Sequence, residues 1–155
     1  MTGPVSPAAI GLVPLVAGYN ALRPDNLREL LACYAEQAHF KDPFNDVVGR
    51  AEIDRIFRHM FATLEQPGFV IGNALAGERD AMLRWEFRFG LSGKSYLVPG
   101  STALAFDDSG RVIDHVDYWD PTETVWAHLP LVGAPVRWLR RRFSSVNFDR
   151  GQSNG

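Results

Sequence analysis

The segment Val112-Ile113-Asp114-His115-Val116-Asp117-Tyr118-Trp119 alternates as a strand does, yet one of its faces carries a histidine and an aspartate between Ile113 and Trp119. If that face looks into a core, Asp117 must be paired, protonated or turned to a ligand, because an isolated buried carboxylate costs several kcal/mol. A carboxylate tuned by burial beside an imidazole is the equipment of an acid/base catalyst. Two other readings stay open: a structural hydrogen bond between His115 and Asp117, or the opposite register with Val112, Asp114, Val116 and Tyr118 inward. Asp42 raises the same question, since it follows Phe40 on one face of a short alternating segment and precedes Pro43, where the chain bends. It is read as an inward acid or as a solvated turn aspartate.

These acids need walls. In Leu83-Arg84-Trp85-Glu86-Phe87-Arg88-Phe89-Gly90-Leu91 every odd position through Phe89 is large and apolar, while Arg84, Glu86 and Arg88 occupy the other face. Burial of Trp85, Phe87 and Phe89 stabilises a fold by about 1.5–3 kcal/mol each. The same face serves equally as plain core or as the wall of a pocket.

The elements that must hold these residues follow from periodicity. Residues 10–22 repeat at helical spacing, with Leu12, Leu15, Val16 and Tyr19 on one side and Pro14 either in the first turn or at a kink. Pro24 then opens a second amphipathic helix through Leu27, Leu30, Leu31 and Tyr34. Residues 38–42 read as a brief strand, and a loop through Gly49 leads to a third helix over 51–64, whose stripe includes Ile53, Ile56, Phe57, Met60, Phe61 and Leu64 and which Pro67-Gly68 ends. After that the period changes to two, predicting strands over 69–75, 82–91, 96–106 and 111–119 joined by short turns as an antiparallel meander. Helices first and strands later give an α+β domain.

A chain of 155 residues with 46% apolar content suits one domain, expected over 10–143 between a flexible 1–9 and a disordered tail at 144–155. Residues 121–143 read as a C-terminal helical extension in two pieces. The net charge of -2 gives no pull toward nucleic acid. One local exception is the basic stretch 137–142, where Arg137, Arg140, Arg141 and Arg142 surround Val136, Trp138 and Leu139; it either docks on an anionic membrane or closes the domain with its apolar side. With Cys33 as the one cysteine no intrachain disulfide can form, and the apolar N-terminus lacks the basic region of a signal peptide, so a cytoplasmic location is expected. The four histidines, His39, His59, His115 and His128, have no ligand spacing, and no phosphate-binding glycine loop or nucleophile elbow occurs, so neither metal nor organic cofactor is expected.

Val16-Ala17-Gly18-Tyr19-Asn20-Ala21, Phe40-Lys41-Asp42-Pro43, Gly49, Gly110-Arg111-Val112 and Asp117-Tyr118-Trp119-Asp120 come in an order that resembles the nuclear transport factor 2-like superfamily, in its SnoaL-like and ketosteroid-isomerase-like branch, over about residues 10–120. The resemblance implies a cone-shaped curved, mixed sheet wrapped around an apolar pocket with three N-terminal helices, and a homodimer, for which the Arg84, Glu86, Arg88 face is a contact surface. It implies a proton-shuttling base at Asp42 and ligand-contacting walls at Trp85, Phe87 and Phe89, with Phe57 and Trp119 beside them. Thr102 and Leu15 stand where the isomerases keep their oxyanion-hole aspartate and tyrosine, so both become ligand-facing positions without those donors; losing one such donor costs about 10²–10³ in rate. Tyr19, one turn later, is the replacement donor, and His115 with Asp117 matches acid/base positions of cyclase-like and epoxide-hydrolase-like relatives. The expected function is binding of a small hydrophobic or polycyclic molecule with proton transfer of isomerase, cyclase or dehydratase type, the alternative being a non-catalytic ligand-binding or dimerisation module.

Overall fold

The computed structural model describes residues 5–121, and the calls on the tail and on the basic C-terminal stretch lie outside them. Helix α1 (Pro7–Asn20) begins three residues ahead of the expected start, because Ser6 caps it by accepting the Ala9 N–H at 3.2 Å and Pro7 takes the first turn. Pro14 therefore falls inside the helix rather than in its first turn. Helix α2 (Leu27–Leu31) is a single short turn set by the buried Leu27, Leu30 and Leu31. Tyr34, expected on its stripe, instead opens strand β1 (Tyr34–Lys41).

Strand β2 (Asp46–Val48), read from the sequence as loop, folds back on β1 and leads to helix α3 (Arg50–Thr63). Strands β3 (Glu65–Ala76), β4 (Asp80–Leu91), β5 (Lys94–Phe106) and β6 (Val112–Tyr118) form the expected meander. β3 starts earlier than its alternation suggested, so Pro67 and Gly68 belong to the strand instead of ending a helix. The sheet has six strands in the order β2-β1-β6-β5-β4-β3, with β1 and β6 parallel and every other pair antiparallel. This is the α+β architecture of three helices on a curved, open mixed sheet.

The two faces of the sheet differ. Leu83, Trp85, Phe89, Thr102, Leu104, Phe106 and His115 are buried on the inner face, and Leu83, Trp85, Leu104 and Phe106 share one apolar core with residues of α1 and α3. Along β6 a register shift between Ala105 and Phe106 sends Val112 inward and leaves Ile113 exposed, so Ile113 does not share the face of His115. Helix α1 lies close on the strands at Gly11, where a Cβ would come within 2.0 Å of the Gly110 carbonyl oxygen. Its far end is tied down by Asn20, whose Oδ1 accepts the Ile71 N–H at 2.8 Å beside a bulge in β3.

On the outer face, His39 bridges three strands. Its Nδ1 meets Asp114 of β6 at 2.6 Å and its Nε2 meets Asp46 of β2 at 2.7 Å, with Lys41 a further 3.1 Å partner of Asp46. The hydrogen bonds to Asp46 and Asp114 raise the His39 pKa, and the bond from His39 lowers that of Asp46. A raised histidine value stabilises the fold below the unfolded value of about 6.5 and loses that contribution as pH rises through the folded value; a lowered aspartate value acts above about 3.9 and is lost as pH falls. Both contributions are complete between about pH 4 and 6.5. We predict that the melting temperature of the wild type declines on the alkaline side of this window and that His39→Gln flattens that limb; an unchanged limb in the variant would refute the assignment.

Candidate active site

Five elements converge on one buried set of polar side chains. β6 supplies His115 and Asp117, β5 supplies Thr102, β4 supplies Trp85, β1 supplies Tyr34 and α1 supplies Tyr19. The register aligns them: Thr102 lies opposite both Leu83 on β4 and Asp117 on β6, and Phe40 of β1 lies beside His115. Room for the indole of Trp85 exists because its cross-strand partner is Gly100, where a Cβ would meet the ring at 2.2 Å. The guanidinium of Arg50, at the start of α3, holds the Tyr34 carbonyl at 2.6 Å and so anchors the first residue of β1.

The side chains form one continuous hydrogen-bonded chain. Trp85 Nε1 donates to Thr102 Oγ1 at 2.7 Å, and Thr102 donates to Asp117 Oδ1 at 2.5 Å. The same Oδ1 lies 2.8 Å from His115 Nε2, His115 Nδ1 lies 2.9 Å from the Tyr34 hydroxyl, and the Tyr34 and Tyr19 hydroxyls are 2.6 Å apart. The chain is dry: His115 and Thr102 are 2% and 1% exposed, and Tyr34 is fully buried. The imidazole stacks on Phe40 with ring centroids 4.5 Å apart. Burial pushes both tyrosine hydroxyls well above their usual pKa; proximity to Tyr34 and Asp117 adds to this at Tyr19, whereas at Tyr34 the bond with Tyr19 acts in the opposite direction. Both phenols are therefore O–H groups at neutral pH.

A cavity opens beside this chain, lined by Tyr19, Thr102, His115 and Asp117 on its polar side and by Phe69, Ile71, Leu83 and Trp85 on its apolar side. It leaves about 10 Å³ for the centre of a water molecule, which is space for roughly one water. From Trp85 an aromatic row runs along the sheet through Phe69, Phe87, Phe89 and Tyr96, with Phe69–Phe87 and Phe89–Tyr96 stacked at 4.5 and 5.3 Å.

Of the residues singled out from sequence, Tyr19, Trp85, Thr102, His115 and Asp117 meet at this cavity. Phe87 and Phe89 lie on the same face farther along the aromatic row. Phe57 packs behind Tyr19 at 6.1 Å, Leu15 is fully buried in the core of α1, and Trp119 packs edge-on to Phe44 at 5.5 Å. Asp42 stands apart in the β1–β2 turn, where its Oδ1 accepts the N–H groups of Phe44 and Asn45, both at 2.7 Å, and its Oδ2 accepts the Asn45 side-chain amide at 2.9 Å. Those bonds are what a turn aspartate makes. Tyr34 was not among the sequence candidates because its spacing from Leu27 and Leu30 fits a helix; Phe69, Ile71 and Leu83 carry no chemical signal of their own. Among the described residues no group of histidine, cysteine, aspartate and glutamate is arranged to hold a metal ion.

Fold and site together define a nuclear transport factor 2-like protein, with a curved sheet whose inner face carries an acid among aromatic rings. The SnoaL-like domain matches residues 15–115, well over half of the sequence, and the chain belongs to that family. Solved structures agree on the fold. A putative SnoaL-like polyketide cyclase from Jannaschia sp. CCS1 superposes with a TM-score of 0.66 at 16% identity, over 86% of this chain and 99% of that one. A ketosteroid isomerase-like protein from Catenulispora acidiphila, in complex with trimethylamine, gives 0.64 at 17% identity over 86% and 98%. TerC, co-crystallised with polyporic acid, gives 0.65 at 12% identity over 76% and 95%. No curated protein matches the sequence.

The hydroxyl of Thr102 carries the site mechanically. We predict that Thr102→Val, which keeps the volume but strips the indole N–H and the carboxylate of a partner, lowers stability by about 1–3 kcal/mol in urea unfolding. A loss within error of zero would mean that these bonds do not form in solution.

Proposed function

We propose that this protein binds a small, largely apolar molecule at the inner face of the sheet and moves a proton on it, in a reaction of isomerase, cyclase or dehydratase type. The observation that carries this reading is Asp117: a carboxylate beside an aromatic-walled cavity, held by Thr102 and His115 through one oxygen, Oδ1. Asp117 is the base that takes the proton from a substrate carbon and returns it to another atom, so no external reactant is consumed. His115 orients it, and Tyr19 and Thr102 complete the polar rim. Asp42, saturated by its own turn, is a structural residue on this reading. The polyporic acid in TerC and the assignment of the Jannaschia protein as a putative polyketide cyclase support a cyclic, oxygenated ligand.

Positioned general acid/base groups contribute about 10²–10⁴ in rate. Across a panel of cyclic hydroxyketones and phenols, each carrying a hydroxyl, Asp117→Asn is expected to abolish solvent deuterium incorporation, and Asp42→Asn to leave it within about threefold, a factor worth less than 1.4 kcal/mol. Equal losses in the two variants would remove the assignment. The narrowness of the cavity favours a second reading, a site that only binds; retained ligand affinity in Asp117→Asn with no exchange in either protein would select it.

We also propose that a second copy of the chain covers the outer face of the sheet. Leu75 lies opposite Met82, Met82 opposite Ala103 and Ala103 opposite Val116, an apolar band with Leu75 and Met82 exposed, next to Arg84 and to the Glu86–Arg88 ion pair at 2.7 Å. Light scattering is expected to give a dimeric mass for the wild type and a monomeric one for Leu75→Lys/Met82→Lys; a monomeric wild type ends the proposal. No helix among the described residues is long and apolar enough to cross a membrane.

A further inference from the structure

The hydrogen-bonded chain has a direction, and the direction says what kind of chemical group the cavity takes. An indole N–H can only donate, so Thr102 receives from Trp85 and must spend its own proton on Asp117 Oδ1. That oxygen is then an acceptor, and the nitrogen facing it, His115 Nε2, carries the hydrogen. In a neutral imidazole the other nitrogen is a bare acceptor, which obliges Tyr34 to donate to Nδ1 and, in turn, Tyr19 to donate to Tyr34. An imidazolium would reverse the tyrosines and form a buried ion pair with Asp117 at 2.8 Å, and the desolvation of that pair, with His115 2% exposed and stacked on Phe40, opposes it. From both ends, then, the protons run inward to one carboxylate oxygen.

What is left over faces the ligand. Asp117 lines the cavity, and its Oδ2 receives no bond from any described residue; Tyr19 lines it too, with its proton committed to Tyr34 and its lone pairs uncommitted. Thr102 and His115 have no spare proton either. We infer that the cavity is an acceptor-only site: it takes a hydrogen-bond donor, either a hydroxyl or a protonated amine, and disfavours a ketone or ether oxygen. This inference rests on the reading that the cavity is the functional site, and it inverts the polarity of an oxyanion hole, in which a tyrosine donates to a substrate carbonyl. Tyr34, which touches no ligand, becomes the positioning residue that fixes the tautomer of His115.

The test has two arms on the full-length protein. In ¹⁵N-edited spectra of the imidazoles near neutral pH, His115 is expected to show a protonated Nε2 and an unprotonated Nδ1, with Tyr34→Phe shifting the Nδ1 resonance through loss of its donor. A protonated Nδ1 overturns the inference whatever binds. In the second arm methanol and methylammonium serve as the hydroxyl and the amine donor and acetonitrile, as slender as either, as the acceptor, each titrated against the backbone amide signals of Thr102 and His115. Saturable shifts with methanol, methylammonium or both, weakened about tenfold or more in Asp117→Asn and absent with acetonitrile, are expected; which of the two saturates identifies the source. Saturation by acetonitrile, alone or as tightly as by the donors, overturns the inference. The expected tautomer with no binding of any probe refutes the ligand class and the functional reading of the cavity together, while leaving the chain's direction established.

Discussion

A single hydroxyl proton, that of Thr102, orders the inner face of this protein. Its oxygen is claimed by an indole that can only give, so its hydrogen goes to Asp117, and every bond beyond follows by exclusion. The price of such a network in a dry interior is that each member needs all its partners, since an orphaned buried polar group costs about as much as several satisfied ones contribute. Six side chains from five elements are thereby tied to one geometry. Preorganisation of this kind is what acid/base chemistry and selective binding both require.

The scaffold serves that geometry through close backbone approaches. Gly100 lets the indole lie flat across β5, and Gly11 lets α1 settle on the Gly110 turn so that Tyr19 reaches Tyr34. Asn20 fixes the end of the helix against the bulge in β3, one residue from Tyr19. The outer face of the same sheet is organised separately, by His39 and its two carboxylates at the β2–β1–β6 end and by the exposed Leu75–Met82 band at the other. The chemistry proposed for the inner side and the association proposed for the outer side draw on different residues.

Much of this was legible in the residues themselves. Alternation of period two separated Trp85 and Phe89 of β4 from the charged face and put His115 and Asp117 of β6 on one face while leaving open which face looks inward, and Thr102 came from the resemblance alone. The reading failed where local patterns carry two meanings. Tyr34 continues a three-and-four spacing from Leu27, yet α2 lasts only five residues and tertiary burial draws Tyr34 into β1. Ile113 fits the alternation of β6 until a bulge reverses it. Asp42 looks inward by parity with Phe40, but the strand ends at Lys41, and the following turn offers the aspartate backbone N–H groups that no alternation rule anticipates. A three-residue β2 partner strand with a proline before it likewise has no periodicity to detect, since Asp46–Val48 is too short.

The parallel pairing of β1 with β6 joins residues far apart along the chain: Tyr34 and His115 are 81 positions distant, and His39 and Asp114 are 75. Closing so long a loop is entropically costly and is repaid only by contacts made afterwards, whereas the β3–β6 meander zips locally. A nascent or partly melted molecule that keeps the meander still has its aromatic wall, its indole and the Thr102–Asp117 bond across β5 and β6, but His115 has not met Tyr34. The tyrosine end of the hydrogen-bonded chain, and with it the orientation of the imidazole, is thus completed only when β1 docks.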